Sequence, residues 1–387
     1  MQTEYSVYFK PLVAAGVWLD EWVNVSQYIQ EKDLSNIEVD LEGDDFHVGL
    51  FKSKKTIVKL RNVPYIGTIF PRGYNRCKVR IDYTADNKTV TVFTGYIKTN
   101  SADTKETATS IQFKVRGNES ALGFQTVPVG YLSGQTCEQA IKKLLSSPAL
   151  VNYFNYNADN VTLGYNPYID NGAAFDNVSF TVAMRELLLV SNSVLSVDNN
   201  NNVLVTTREP RGTTKAFYGN TPDRDNILQM KQYKDGLQRT FNQIAIKHGD
   251  NQEMFINDAD SITDYDLQKL DIKIKSITDT TVLEAVAQNL LDNFAQPKHE
   301  VEIVLDSSKL LPRLTELQEC TLEFWEQAQY PRDATVWLWD DGKEWDNNAY
   351  YPHLTGIFTS NASTTYKVIK ITEQCKTGTT TITLRAA

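Results

Sequence analysis

The stretch VWLWDDGKEWD, residues 336–346, gathers the side chains most able to do chemistry. Asp341-Gly342 is a two-residue hairpin signal. It sets Trp337 and Trp339 on one face of the first strand, where Trp345 of the second strand can join them. Indole faces beside Asp340, Asp341, Glu344 and Asp346 can stack on sugar rings, and paired carboxylates can hydrolyse glycosides. The plainer alternative is that the tryptophans anchor the hairpin against the same chain or a neighbouring subunit, because aromatic side chains are enriched at interfaces. Anchoring is the leading reading, a glycan contact the second, and catalysis the last.

Other candidates carry less. The segment DADSITDYD has calcium-like carboxylate spacing at Asp258, Asp260, Asp264 and Asp266. It lacks the glycine and the terminal glutamate of an EF-hand loop, so it reads as a solvated loop. His47, His248, His299 and His353 form no H-E-x-x-H or H-x-x-x-H pair, and Cys77, Cys137, Cys320 and Cys375 form no C-x-x-C pair. No nucleophile elbow, phosphate-binding loop or dinucleotide fingerprint occurs. The expectation is therefore of no enzyme, no metal and no cofactor, with the cysteines as buried thiols of a reducing compartment.

The elements that must position these residues are mostly strands. Ile37, Val39 and Leu41 alternate with Glu38 and Asp40, and Val79, Ile81 and Tyr83 alternate with Lys78, Arg80 and Asp82. Ile111, Phe113 and Val115 do the same with Gln112, Lys114 and Arg116. Period-two alternation places apolar side chains on one face of a sheet and charges on the other. With YSVYF and VTVFTGYIK this makes a run of short strands suited to a barrel or sandwich. Gly95, inside the last of them, reads as a structural bend in a curved wall rather than a ligand contact.

From about residue 124 the period changes. Thr136 to Gln139 fits a capping box ahead of Ala140, Ile141, Leu144 and Leu145, with Pro148 beyond. Phe180, Ala183, Met184, Leu187 and Leu188 mark a second helix, followed by the hairpin VLSVD and VLVTTRE. Strands return at FNQIAIKHG and KLDIKIKSI. A helix is expected to open at the capping box Thr281 to Glu284, and YKVIKIT and TTTITLR close the pattern. The expected fold class is β-rich α+β. Its units are an N-terminal β-barrel at 1–123, a small α+β domain at 124–215, and a second barrel at 216–387.

Composition bounds the partners. Thirty-nine basic and 48 acidic residues leave a net charge of −9, which disfavours phosphate backbones and anionic membranes. No run of Lys and Arg supplies a basic patch. No secretory signal and no membrane-spanning segment is read, so the expectation is a soluble protein made in the cytoplasm.

The order of these pieces resembles the tail hub proteins of tailed bacteriophages and contractile injection systems. KVRIDY, VFTGYIK and SIQFKVRGNESAL precede the helix after SGQTCEQAIKKLL. The unit SFTVAMRELLLVSNSVLSVDNNNNVLVTTRE, the strand FNQIAIKHG and the pair around YKVIKITEQCKTGTTTITLR follow. The resemblance implies two tube-like barrels per subunit, a homotrimer, and an adaptor between a sixfold tail tube and a threefold tip. It implies a tail tube or distal tail protein, a spike or fibre protein and a tape measure protein as partners. DNA would be present only in transit through the lumen. The Trp-rich hairpin lies outside this pattern and motivates the alternative, a carbohydrate-binding receptor module. Glycan-array binding that disappears on Trp339→Ala would mark that receptor. Sugar hydrolysis abolished by replacing Asp340 or Glu344 would mark an enzyme.

Overall fold

The computed structural model describes residues 4–14, 17–30, 34–40, 54–61, 69–70, 75–98, 103–104, 110–198, 200–219, 227–234, 236–249, 252–310, 314, 318–324 and 365–386. The first strands are β1 (Glu4–Lys10), β2 (Leu12–Ala14), β3 (Val17–Trp18), β4 (Val23–Asn24) and β5 (Ile37–Asp40). They are followed by β6 (Lys55–Arg61), β7 (Lys78–Ala85), β8 (Lys88–Ile97), β9 (Asp103–Thr104) and β10 (Ser110–Gly117). The order β5-β6-β10-β8-β7-β1-β4 is antiparallel throughout. Asp86 and Asn87 turn β7 into β8 with φ of 49° and 62°, the left-handed pair a type I′ hairpin demands. Val79, Ile81 and Tyr83 face inward with Phe113 and Val115, as the alternation predicts. Phe9, Phe70 and Phe113 form the aromatic heart of this sheet, with ring centroids 5.2 to 5.9 Å apart.

Gly95 stands opposite Gly117, where β8 and β10 pair through Val115–Ile97, Arg116–Tyr96 and Gly117–Gly95. A Cβ at Gly95 would lie 2.1 Å from the Arg116 carbonyl oxygen and 2.8 Å from the Phe93 ring. Its φ is not positive, and the register shift of this hairpin falls at Ile81 and Asp82 instead. The demand at Gly95 is steric: a neighbouring backbone occupies the space a side chain would need.

The middle of the chain holds α1 (Cys137–Leu145), α2 (Phe180–Val190) and the hairpin β11 (Ser193–Val197) with β12 (Val203–Thr207). The expected capping box forms: Thr136 accepts from the Gln139 amide at 3.4 Å, and the Gln139 side chain accepts from the Thr136 amide at 3.1 Å. Pairing then continues with β13 (Arg211–Gly219), β14 (Ile227–Lys234), β15 (Gln243–His248) and β16 (Gln252–Asn257). Next come α3 (Ala259–Tyr265), β17 (Lys269–Lys273), α4 (Thr280–Phe294) and β18 (Glu300–Asp306). The last strands are β19 (Gln318–Phe324), β20 (Thr365–Gln374) and β21 (Thr379–Ala386). The helix expected from Thr281 is capped two residues earlier, by Asp279, which accepts from the Thr281 amide. Asp170 holds that start in place, accepting from the Thr278 and Asp279 amides.

The apolar core follows contacts rather than chain order. Ile244 and Ile246 of β15, with Leu283 and Leu290 of α4, share one cluster with Leu144, Leu188 and Val205. A further cluster joins Val301, Ile303, Cys320, Val368, Ile382 and Leu384 across the final strands.

One strand joins the two ends of the chain. Along one edge β20 pairs with β21 over nearly its whole length. Along the other it pairs first with β19, through residues 365–367, and then with β5, through residues 370–373. A register shift between Val368 and Lys370 marks the changeover. The N- and C-terminal strands thus form one sheet running from β14 to β4. The large antiparallel sheets fit the expected β-rich α+β class, but no closed barrel forms among the described residues. The sheet path stays open, and β13 and β14 come close without forming a ladder. Two register shifts within β14 bend it out of regular pairing.

Charge is buried where the middle core meets the final strands. Arg239 pairs with Glu300 at 2.9 Å, and Lys367 donates to the Arg208 carbonyl at 2.9 Å. The Arg208 and Arg385 guanidinium groups lie 5.7 and 5.3 Å from the Phe294 ring centre. Removing one partner of a buried pair strands the other charge, at a cost of about 3 kcal/mol. Arg239→Ala is therefore expected to lower stability by about 3 kcal/mol, read from the urea midpoint. Gly95→Ala is expected to cost about 1–3 kcal/mol by overpacking. Gly123→Ala, whose Cβ would meet the Thr181 hydroxyl at an ordinary 3.5 Å, should change it by under about 0.5 kcal/mol.

Candidate functional site

Only some of the residues singled out for chemistry are among the described ones. Trp337, Trp339 and Trp345, with their neighbouring carboxylates, lie outside the described residues. So do His47 and His353. The acidic segment is described, and it is helical rather than a loop. Asp258 caps α3 by accepting from the Ser261 amide at 2.9 Å, which turns a calcium-like spacing into a helix start. Among the described residues no group of three His, Cys, Asp or Glu side chains is placed to hold a metal ion. Among them, too, no helix is long and apolar enough to cross a membrane.

All four cysteines are buried, and no disulfide joins them. Burial pushes the Cys77 thiol from an ordinary value near 9.0 up to about 11, with a backbone hydrogen bond at Leu12 opposing. Burial also pushes Cys320 up to about 12, aided by Glu319 and opposed by Lys215. Cys137 is raised further by burial, aided by Glu186. Thiols held protonated in this way are poor nucleophiles.

The described surface has one feature that composition hides. Alternation on β6 points Lys55, Ile57, Lys59 and Arg61 to one face, and on β10 it points Lys114 and Arg116 to the same face. The register sets Arg116 directly opposite Lys55, so two cations face one another across the ladder. Glu38 of β5 offsets part of this, meeting Lys55 at 2.7 Å. A groove of about 650 Å³ opens here, bordered by Lys55, Lys98, Lys114, Arg116 and Lys376. Ile57 shares this outward face, while Leu34 and Val115, which also line the groove, belong to the buried core beneath it. The expectation of no basic patch is corrected: the cations come from separate strands and the final turn, and only sheet register gathers them. The available signal was the period-two cation spacing in KTIVKLR and FKVR.

The outer faces join the units as well as the groove. Tyr96, on the side of β8 opposite the aromatic heart, packs with Phe124 at 5.2 Å and Tyr153 at 5.5 Å. Trp18 meets Tyr153 edge-on at 5.8 Å, and Arg76 lies 4.5 Å above the Phe124 ring. These contacts cover the outward face at Tyr96, which stands opposite Arg116. The arrangement offers binding by charge and shape.

This layout, sheets at the two ends of the chain joined through β20 with an α+β core between, is the fold of phage-type tail proteins. A tail protein from Neisseria meningitidis MC58 aligns with a TM-score of 0.55 at 10% identity, covering 100% of this chain and 96% of its own. The prophage MuSo2 43 kDa tail protein from Shewanella oneidensis aligns with a TM-score of 0.53 at 11% identity, covering 99% and 98%. Prophage tail protein gp18 from Listeria monocytogenes EGD-e aligns at 0.51 and 8% identity, covering 98% and 94%. At such identities the likeness is one of fold. No family model matches the chain, and no curated protein matches it by sequence.

Three outcomes follow from this chemistry. A thiol reagent at about pH 8 should leave the native protein unlabelled and react fully once urea unfolds it. The raised thiols bind protons more tightly folded than unfolded, so their contribution to stability is whole below about pH 9 and falls as pH rises toward 11–12. Arg116→Gln, which removes one of two opposed cations, should leave stability unchanged or raise it by up to about 0.5 kcal/mol in urea unfolding.

Proposed function

We propose that this chain is a structural, non-catalytic component of a phage-type tail: a homotrimeric hub at the tail tip or baseplate. In this reading residues 1–123 and 216–387 each supply a tube-like barrel, and residues 124–215 form the small unit between them. The 240–295 segment packs into the core of that small unit. Three copies offer six barrels around a bore, adapting a sixfold tail tube to a threefold tip and forming part of the DNA-ejection channel.

The observation that carries the reading is the pairing of β5 with β20. It joins the first and last sheets of one chain edge to edge, which leaves neither of those edges free. The sheet path also leaves strands at both ends, β14 and β4, which is an arrangement suited to closure by copies of the same chain. The fold shared with tail proteins supports the same setting. The partners are a second and third copy, a tail tube or distal tail protein, a spike or fibre protein, and a tape measure protein. DNA meets the chain only in passage. The protein is assembled in the host cytoplasm and resides in the virion tail tip.

Native mass spectrometry at micromolar concentration is expected to give three times the 43.8 kDa chain mass, and negative-stain images a ring with a central hole. Monomers alone, or solid particles, would overturn the hub reading.

A further inference from the structure

Strand register turns the outward face of β6 and β10 into a field of lysine and arginine. Lys114 and Arg116 stand two residues apart on β10, a step of about 7 Å, and Lys55 and Lys59 flank Ile57 on β6. The Lys98 amide donates to the Lys114 carbonyl at 3.0 Å, which seats Lys98 alongside. Lys376, in the turn after β20, borders the same groove. Lys98, Lys114, Arg116 and Lys376 are exposed. One carboxylate, Glu38, stands among the described lining, and it is committed to Lys55 at 2.7 Å. Among the described residues no carboxylate pairs with Lys59, Lys98, Arg116 or Lys376.

The make-up of this face selects its partner. Protein interfaces gather aromatic side chains and shed lysine from their centres. Here lysine predominates, and the apolar contribution to the outward rungs is the half-buried Ile57. Contacts with duplex DNA are more polar and far more positive. Exposed Asn36 in the groove wall and half-buried Gln112, opposite Lys59, add amide donors of the kind that hydrogen-bond phosphate and sugar oxygens. Tyr96, the aromatic residue beside Arg116, is covered by Phe124 and Tyr153 and offers no ring to stack on an unpaired base. The face is equipped for a phosphate backbone and not for bases.

We propose that this face is the surface on which the chain touches double-stranded DNA, through its phosphates and without sequence preference. The inference rests on the reading above in which DNA passes the assembled hub, and it names the side chains that meet it. With a net charge of −9 the rest of the chain repels the duplex, so the contact is local and weak. A backbone contact of that kind holds no register and lets DNA slide.

The test measures fluorescence anisotropy of a labelled duplex of random sequence with the full chain, between about 50 and 200 mM salt. Wild type is expected to bind, with log affinity falling against log salt at a slope of about −4. The double variant Lys98→Gln with Arg116→Gln should weaken binding at least about tenfold at the lowest salt and flatten the slope by about 2. Exposed Lys247 and Lys273 face each other on β15 and β17, so Lys247→Gln with Lys273→Gln makes the same charge change elsewhere. That variant should keep the affinity within about twofold and the slope unchanged. Circular dichroism melts are the folding control, and if the groove double variant fails to fold, Lys98→Gln alone should flatten the slope by about 1. No duplex binding at the lowest salt, equal loss in both double variants, or tighter binding of a single strand overturns the contact. So does a groove variant that keeps its DNA affinity and loses its hold on anionic vesicles or on another tail protein instead. A trimer that ignores duplex DNA overturns this contact and leaves the hub reading standing. A monomer whose groove variant loses DNA removes the hub reading and leaves this contact.

Discussion

The structure depends on the divided edge of β20. A strand edge offers one row of amide and carbonyl groups, and β20 shares its row between β19 and β5 on either side of a register shift. That shift, at Ile369, falls where the edge passes from one partner strand to the other within a single sheet. Around it the contacts are reinforced by side chains. Tyr5 hydrogen-bonds Glu373, Thr380 donates to the same carboxylate at 2.7 Å, and Cys375 enters the core built around Phe9 and Phe113. The relative placement of the two ends of the chain is therefore held by strand hydrogen bonds and side-chain contacts.

Local periodicity carried much of this fold. The alternating runs at 37–40, 79–83 and 111–115 are strands, with Ile37, Val39, Val79, Ile81, Tyr83, Phe113 and Val115 buried as expected, while Leu41 lies outside the described residues. The Thr136 capping box and the Phe180 stripe mark helices that form where they should. Features that need distant partners were not legible. The β5–β20 ladder, the parallel pairing of β13 with β19, and the transfer of β15 and α4 into the middle core leave no trace in a short window. Gly95 was visible as an oddity, but its cause is the Arg116 carbonyl, which sequence cannot place beside it. The acidic segment misled for a related reason. Carboxylate spacing is shared by ion-binding loops and helix starts, and the Asp258 cap selects the helix.

The cationic face shows how net charge can mislead. A chain with nine more acids than bases still sets Lys55, Lys59, Lys114 and Arg116 on one side of two strands. Strand pairing concentrates what the linear sequence disperses, because each ladder step brings together residues many positions apart. The same pairing accepts a repulsion that substitution would readily relieve. Proteins retain such costs where a surface serves contact rather than stability.

The Tyr5 hydroxyl and its Glu373 partner stand 368 positions apart. During synthesis the first sheet would emerge long before the strand that flanks β5 exists. Until β20 arrives, β5 presents a bare edge, and the Cys375 site in the first core stays vacant. Such distant closure slows folding and prolongs the exposure of sticky edges. A nascent chain of this design keeps an open strand edge until its last residues have emerged.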